Sequence, residues 1–154
     1  MTDLVLRSDA GGVCTLTLNR PEKHNALDTR MFVQLEAHLA MLEKDIESIG
    51  CVVVRGAGKS FCAGADLAAM KEGVVVPSPM YKTTVIERLA SLPQPVIAAV
   101  HGHCFTGGLE LALAADFILA ADSATFADTH GKWGLVAGWG MTQRLPRRIG
   151  TAQA

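Results

Sequence analysis

The sequence predicts one α/β domain, on three observations. Short β-type runs alternate with stretches of helical periodicity along the whole chain. The run C-V-V-V at 51–54 is continuously apolar, as in a strand covered on both faces. With 154 residues, 49% of them hydrophobic and 19% charged, the chain can bury one core and lacks the composition of a disordered segment.

Residues 4–7 and 13–18 read as two strands joined by the turn D-A-G-G at 9–12, where glycine supplies positive φ cheaply. A polar loop, N-R-P-E-K-H-N-A-L-D, follows; Pro21 ends the strand and Asp28 caps a helix. Met31, Leu35, Leu39, Leu42 and Ile46 recur on one helical stripe, so this helix is expected to continue to about Ile46. Gly50 stops it ahead of the 51–54 strand. The small-residue loop F-C-A-G-A-D-L at 61–67 leads into a short helix, and residues 74–78 form a linker containing Pro77. Ser78 and Pro79 supply an N-cap and a first-turn proline for a helix with Val85, Ile86, Leu89 and Leu92 on one side. Pro93 and Pro95 close it and open a strand at 96–100. A loop punctuated by Gly102, Gly107 and Gly108 then gives way to an apolar helix, a strand at 117–121 and one more short helix near the end of the chain.

Several function classes are excluded early. A formal net charge of −1 gives no electrostatic case for nucleic acid or an anionic membrane surface. Cys14, Cys51, Cys62 and Cys104 lie far apart without CxxC or Cys/His zinc spacing, so they read as reduced thiols of a cytoplasmic protein and no metal is expected. No signal peptide is evident at the N-terminus, and the longest apolar run, 109–121, is broken by Glu110 and Asp116 and is too short for a bilayer.

The strand, loop and helix over 95–116 carry the candidate chemistry. Glu110 sits in the first turn of the helix among Leu109, Leu111 and Leu113, and a carboxylate is costly to bury without partners or a chemical role. Beside it the helix N-terminus leaves backbone N–H groups unpaired. The helix dipole alone also favours a first-turn glutamate, by about 0.3–1 kcal/mol, so the residues by themselves leave both readings open. The stretch G-H-C-F-T-G-G-L-E lacks the G-K-[ST] of a phosphate loop, and its acidic first turn would repel phosphate. Cys62 and Cys104 have no base partner, which disfavours a thiol nucleophile. His24, His101 and His103 read as loop residues, the last two bordering the site, and Arg144, Arg147 and Arg148 as a solvated helix face.

Four blocks in order, L-T-L-N-R-P-E-K-H-N-A-L-D (16–28), G-K-S-F-C-A-G-A-D-L (58–67), P-V-I-A-A-V-H-G-H-C-F-T-G-G-L-E-L-A-L-A-A-D (95–116) and F-A-D-T-H-G-K-W-G-L-V-A-G-W-G-M-T-Q-R-L-P-R-R-I-G (126–150), resemble the crotonase superfamily, the enoyl-CoA hydratase/isomerase family. The resemblance implies a spiral of β-β-α turns, one crotonase-like core domain over 1–154, that binds acyl-coenzyme A thioesters as substrate and uses no separate cofactor. It places an oxyanion hole on the backbone N–H groups of Ala65 and Gly107. Small residues suit that task because the ligand must approach the backbone closely. Glu110 aligns with one catalytic glutamate of hydratases, and an apolar setting would raise its pKa toward neutrality. His130 stands where many relatives carry the second glutamate, as a loop histidine or a second acid/base. Coenzyme A contacts are expected at Ala63, Ala65, Asp66, Leu67, Gly107 and Gly108, with Lys23 and Arg20 toward the adenosine-phosphate end.

These implications favour hydration of a trans-2-enoyl-CoA in fatty acid metabolism. Enoyl-CoA isomerisation, acyl-CoA hydrolysis, and a non-catalytic or fragmentary acyl-CoA-binding chain are the alternatives. Family members are longer, and their C-terminal helices cover the acyl pocket and build homotrimers, often paired as hexamers. This chain ends where those helices would begin, so an exposed apolar patch is expected, and a trimer is doubtful for the chain as it stands.

Overall fold

The structure, a computed structural model, describes residues 3–71 and 77–154. Strands β1 (Val5–Ala10) and β2 (Val13–Leu18) form an antiparallel hairpin turned by Gly11 and Gly12 alone, both at positive φ, so β1 runs further than the sequence suggested. Beyond them β3 (Cys51–Gly56), β4 (Val96–Val100) and β6 (Phe117–Ala120) add in parallel, giving the order β1-β2-β3-β4-β6.

Register explains which face becomes core. Leu16, Val54, Ala98 and Ile118 align across four strands, and Cys14, Val52 and Val96 form a second row on the same face. Helix α1 (Thr29–Leu42) lays Met31, Phe32, Leu35, Leu39 and Leu42 into one cluster with these residues, and α3 (Tyr81–Ala90) adds Val85, Ile86 and Leu89. The opposite face carries the rows Thr15–Val53–Ile97–Phe117 and Thr17–Arg55–Ala99–Leu119, ending on Phe117 and Leu119, which are about 60% exposed. The 51–54 strand is therefore well buried on one face only, and the expectation of two covered faces does not hold.

Two helix boundaries also differ from expectation. Asp28 caps α1 as anticipated, its Oδ1 accepting from the Met31 N–H at 3.0 Å. The helix ends at Leu42, however, because turns at Lys44 and Asp45 redirect the chain, and Ile46 is left exposed. Helix α3 starts at Tyr81 with no side-chain cap, so Ser78 contributes its carbonyl, not its hydroxyl. The anticipated linker over 74–78 lies mostly outside the described residues.

The 101–127 stretch holds two short strands with no sequence signal, β5 (His103–Phe105) and β7 (Thr125–Ala127), paired in parallel. Cys62 bridges to Cys104 and Leu27 to Ala65, tying the 16–28 and 58–67 blocks to β5. The loop 24–28 is organised by Asn25, which is fully buried. Its Nδ2 donates to the Ala57 and Ser60 carbonyls and its Oδ1 accepts from the Arg20 N–H. Helix α4 (Gly107–Leu113) follows β5 and is buried along its length; α5 (Met141–Ile149) packs against it. The arginines of α5 are not simply solvated: Arg148 donates to the Ala115 and Asp116 carbonyls beyond α4, and Arg144 to the Trp139 carbonyl and Glu87. Beside them Leu109, Leu113, Phe117, Leu119, Phe126 and Ile149 line an open apolar groove, the exposed patch that the sequence anticipated.

Candidate functional site

A cavity of about 460 Å³ opens between the loop at 63–67, the N-terminus of α4 and the segment 130–139. Its lining includes Lys23, Ala63, Ala65, Asp66, Leu67, Gly107, Glu110 and His130, so the structure gathers nearly all of the predicted residues around one space.

Two residues of its lining carry backbone N–H groups that have no acceptor among the described residues. The bridge between Leu27 and Ala65 uses the Gly64 carbonyl and the Asp66 N–H, leaving the Ala65 N–H unpaired among the described residues. Gly107 opens α4, where N–H groups have no intrahelical acceptor, and its N–H has none elsewhere among the described residues. Gly107 must also lack a side chain: a Cβ there would lie 2.3 Å from Trp139 Cζ3. Gly108 does not line the cavity. Its backbone packs on Cys62, where a Cβ would meet the carbonyl at 2.3 Å, so its role is close packing and not ligand contact.

Between the donors stands Thr106, at φ 47° and ψ −118°, a region that favours glycine. Its hydroxyl donates to the Ala63 carbonyl at 3.3 Å and so ties the two donor loops together.

Glu110 is 1% exposed yet fully engaged. Its Oε1 accepts from the Trp139 N–H at 2.6 Å and the Met141 N–H at 3.2 Å, both on the segment that returns over α4. Its Oε2 lies 3.6 Å from His130 Nε2. Burial pushes the Glu110 carboxyl above its ordinary range, against the pull of the two N–H donors and of a charged His130.

His130 opens a 3-10 turn over His130–Trp133 and is largely buried. Asp128, which the sequence reading did not single out, fixes it twice. Asp128 Oδ1 accepts from the His130 N–H at 3.0 Å and lies 2.6 Å from Nδ1. Partial burial raises the Asp128 pKa, but these bonds outweigh it and hold the group below the usual carboxylate range. A carboxylate can only accept, so in the neutral form of the ring the proton sits on Nδ1 and the Nε2 lone pair is turned toward Glu110. Asp128, His130 and Glu110 thus stand in a row, the first pair hydrogen-bonded at 2.6 Å and the second 3.6 Å apart, with Glu110 and His130 in the cavity lining.

The charged residues beside the 63–67 loop hold it in shape. Arg20 is buried, its Nη2 paired with Asp66 at 3.0 Å and its Nη1 3.5 Å from Asp28, so it is a loop strut and not a free phosphate ligand. Asp66 lines the cavity while its Oδ1 accepts from the Ala68 and Ala69 N–H groups at the start of α2 (Leu67–Lys71). Lys23 is exposed at the cavity rim. His24, His101 and His103 lie outside the lining; His101 Nε2 is bonded to the Gly58 carbonyl at 2.9 Å. Burial pushes the Cys62 thiol up to about 12 and raises Cys104 as well, which fits inert structural thiols. No group of three His, Cys, Asp or Glu side chains among the described residues could hold a metal ion. Trp139 and Lys82 also line the cavity, and neither carried a sequence signal.

The chain is similar to known proteins in both sequence and fold. A family model described as enoyl-CoA hydratase/isomerase matches residues 8–154. The chain is 40% identical over 161 aligned residues to the 1,2-epoxyphenylacetyl-CoA isomerase of Escherichia coli, covering 100% of this chain and 61% of the relative. It is 36% identical to the short-chain-enoyl-CoA hydratase of Clostridium acetobutylicum, covering 97% of this chain and 59% of that protein. A crystal structure of an enoyl-CoA hydratase from Bacillus anthracis superposes with a TM-score of 0.87 at 35% identity, over 98% of this chain and 60% of that one. The α/β architecture is thus that of solved enoyl-CoA hydratases, and the chain spans about 60% of the length of these relatives.

Proposed function

The chain belongs to the enoyl-CoA hydratase/isomerase family, and from that premise we propose that it binds an acyl-CoA thioester and adds water across a trans-2-enoyl group. One observation carries the reading: two unpaired N–H groups, Ala65 and Gly107, share a cavity with an acid/base pair 3.6 Å apart.

In this mechanism the thioester oxygen accepts from both N–H groups. His130 Nε2 takes a proton from a water held between it and Glu110. The water oxygen bonds C3, and the C2–C3 π electrons move onto the thioester as an enolate, which the two donors stabilise. Each such donor is worth roughly 3–4 kcal/mol in the transition state. Glu110, whose proton burial holds more tightly, gives that proton to C2, and the proton taken up by His130 passes to Glu110. The sum is one water added, yielding a 3-hydroxyacyl-CoA with both residues restored. Coenzyme A enters as part of the substrate, with its polar end toward Lys23, Ala63, Asp66 and Leu67. Free thiols at all four cysteines favour a cytoplasmic setting, and the family supports a place in fatty acid metabolism. Among the described residues no helix is long and apolar enough to cross a membrane.

The test is loss of the conjugated enoyl-thioester absorbance of crotonyl-CoA with appearance of its 3-hydroxy product; no turnover with any short enoyl-CoA would refute hydration. A second reading, double-bond migration, is supported by the family description, which covers isomerases as well as hydratases. It predicts conversion of a 3-enoyl-CoA to its 2-enoyl isomer.

A further inference from the structure

The chemistry above leaves one of the cavity's cations unused. Lys82, the second residue of α3, is half-buried, and its Nζ lies 5.6 Å from the centroid of the Phe32 ring. That ring meets Trp139 edge-on at 5.0 Å, and Trp139 in turn packs against Gly107. Two aromatic rings in contact thus link the ammonium to the oxyanion donor, and Lys82, Trp139 and Gly107 line one cavity.

The ammonium is poorly compensated. Among the described residues Lys82 makes no ion pair or hydrogen bond to a carboxylate or carbonyl. Asp28 is the carboxylate that acts on it, and Asp28 is already engaged by Arg30 at 2.6 Å, by Arg20 at 3.5 Å and by the Met31 N–H. Burial lowers the Lys82 pKa, with Asp28 pulling the other way. A lysine with only structural duty extends its ammonium into water. Here it is held against an aromatic face inside a cavity whose neighbouring walls, Met70, Leu135, Val136 and Trp139, are apolar. A half-desolvated cation among such walls favours an anionic ligand group that replaces its lost water.

We propose that Lys82 is a specificity residue that binds a carboxylate at the far end of the acyl chain, so that the preferred substrates are monothioesters of dicarboxylic acids. The inference rests on the acyl-CoA reading above. With the thioester oxygen on Ala65 and Gly107, the polar end of coenzyme A leaves past Lys23 and Asp66. The acyl chain then runs along Trp139 and Met70, and its terminal carboxylate meets Lys82.

Calorimetric titration with glutaryl-CoA and pentanoyl-CoA, acyl chains of equal carbon number differing in the terminal carboxylate, tests this. The wild-type chain should bind glutaryl-CoA about 10- to 100-fold more tightly, as expected for a charge-assisted hydrogen bond. Lys82→Met, which keeps the stem over Phe32, should abolish that preference and leave pentanoyl-CoA affinity unchanged or improved. Lys82→Arg should retain part of the preference. Equal wild-type affinities would overturn the proposal, as would a Lys82→Met loss shared equally by both ligands, which would point to the phosphates of coenzyme A or to structure. Binding of pentanoyl-CoA alone would overturn it while sparing the acyl-CoA reading. Binding of neither thioester would remove that reading and this inference together.

Discussion

Replacing Glu110 by Gln separates the chemistry of this residue from its structural duty. The amide oxygen of Gln can accept from the Trp139 and Met141 N–H groups as Oε1 does, so the returning segment stays in place. The atom facing His130 Nε2 becomes an amide nitrogen that neither gives nor takes a proton under working conditions. The loss is therefore that of general acid/base catalysis, about 10²–10⁴-fold in kcat with little change in KM. Stability should move the other way with pH. The folded chain holds the Glu110 proton more tightly than the unfolded chain because burial penalises the carboxylate. The contribution of Glu110 is thus fully present at low pH and is lost as pH rises from the ordinary value of 4.5 through the raised folded value. The Gln variant lacks that dependence, so its melting temperature should gain on wild type as pH climbs through this window. Crotonyl-CoA turnover and paired thermal melts from pH 4 to 8 provide both readouts. Unimpaired turnover in a folded Glu110→Gln, or a wild-type advantage that widens with pH, would refute the reasoning.

Other perturbations test separate contacts. Asp128→Asn should lower kcat roughly tenfold or more, because an amide can present its N–H to Nδ1 and turn the lone pair away from Glu110; initial rates and a pH–rate profile measure it. Asp128 has a depressed pKa, so its stabilising contribution is present above its ordinary 3.8 and fades as pH falls through the lower folded value. A melt series should accordingly find wild type losing its margin over Asp128→Asn in that acid window. At Thr106 the usual order of small residues should invert: Gly fits φ 47° and Ala does not, so chemical denaturation should find Thr106→Gly about 1 kcal/mol more stable than Thr106→Ala. Gly108→Ala should cost about 1–3 kcal/mol by forcing a Cβ against Cys62, whereas Gly107→Ala should displace Trp139 and cost activity as well; denaturant midpoints and turnover tell the two apart.

The recognisable parts of the site are those whose chemistry resides in local sequence. Gly107 and Glu110 share one strand–loop–helix unit that is legible before the fold is known, whereas Ala65 and His130 enter through the family resemblance. The third component depends on a turn. Asp128 and His130 are two residues apart, a spacing without meaning in a strand, and only the chain's turn after β7 folds the carboxylate back onto Nδ1. The partners of Glu110 come from residues 139 and 141, and the contact is through backbone N–H, which no side-chain pattern announces. Lys82 likewise reads as an ordinary helix-surface lysine until α3 is packed against α1. The misjudged boundaries have the same origin. Ile46 keeps the helical spacing of Leu42, but tertiary turns end α1 first. Strands β5 and β7 are three residues each, too short for alternation to register.

In the proposed mechanism Ala65 and Gly107 polarise a thioester carbonyl held beside Glu110 and His130. Carbon-13 NMR of an acyl-CoA labelled at the thioester carbonyl, bound to this chain, tests it most directly. The bound carbonyl should shift downfield, and the shift should be reduced in Gly107→Ala, where the added Cβ clashes with Trp139. A ligand demonstrably bound, with its carbonyl resonating where it does in free solution, would contradict it.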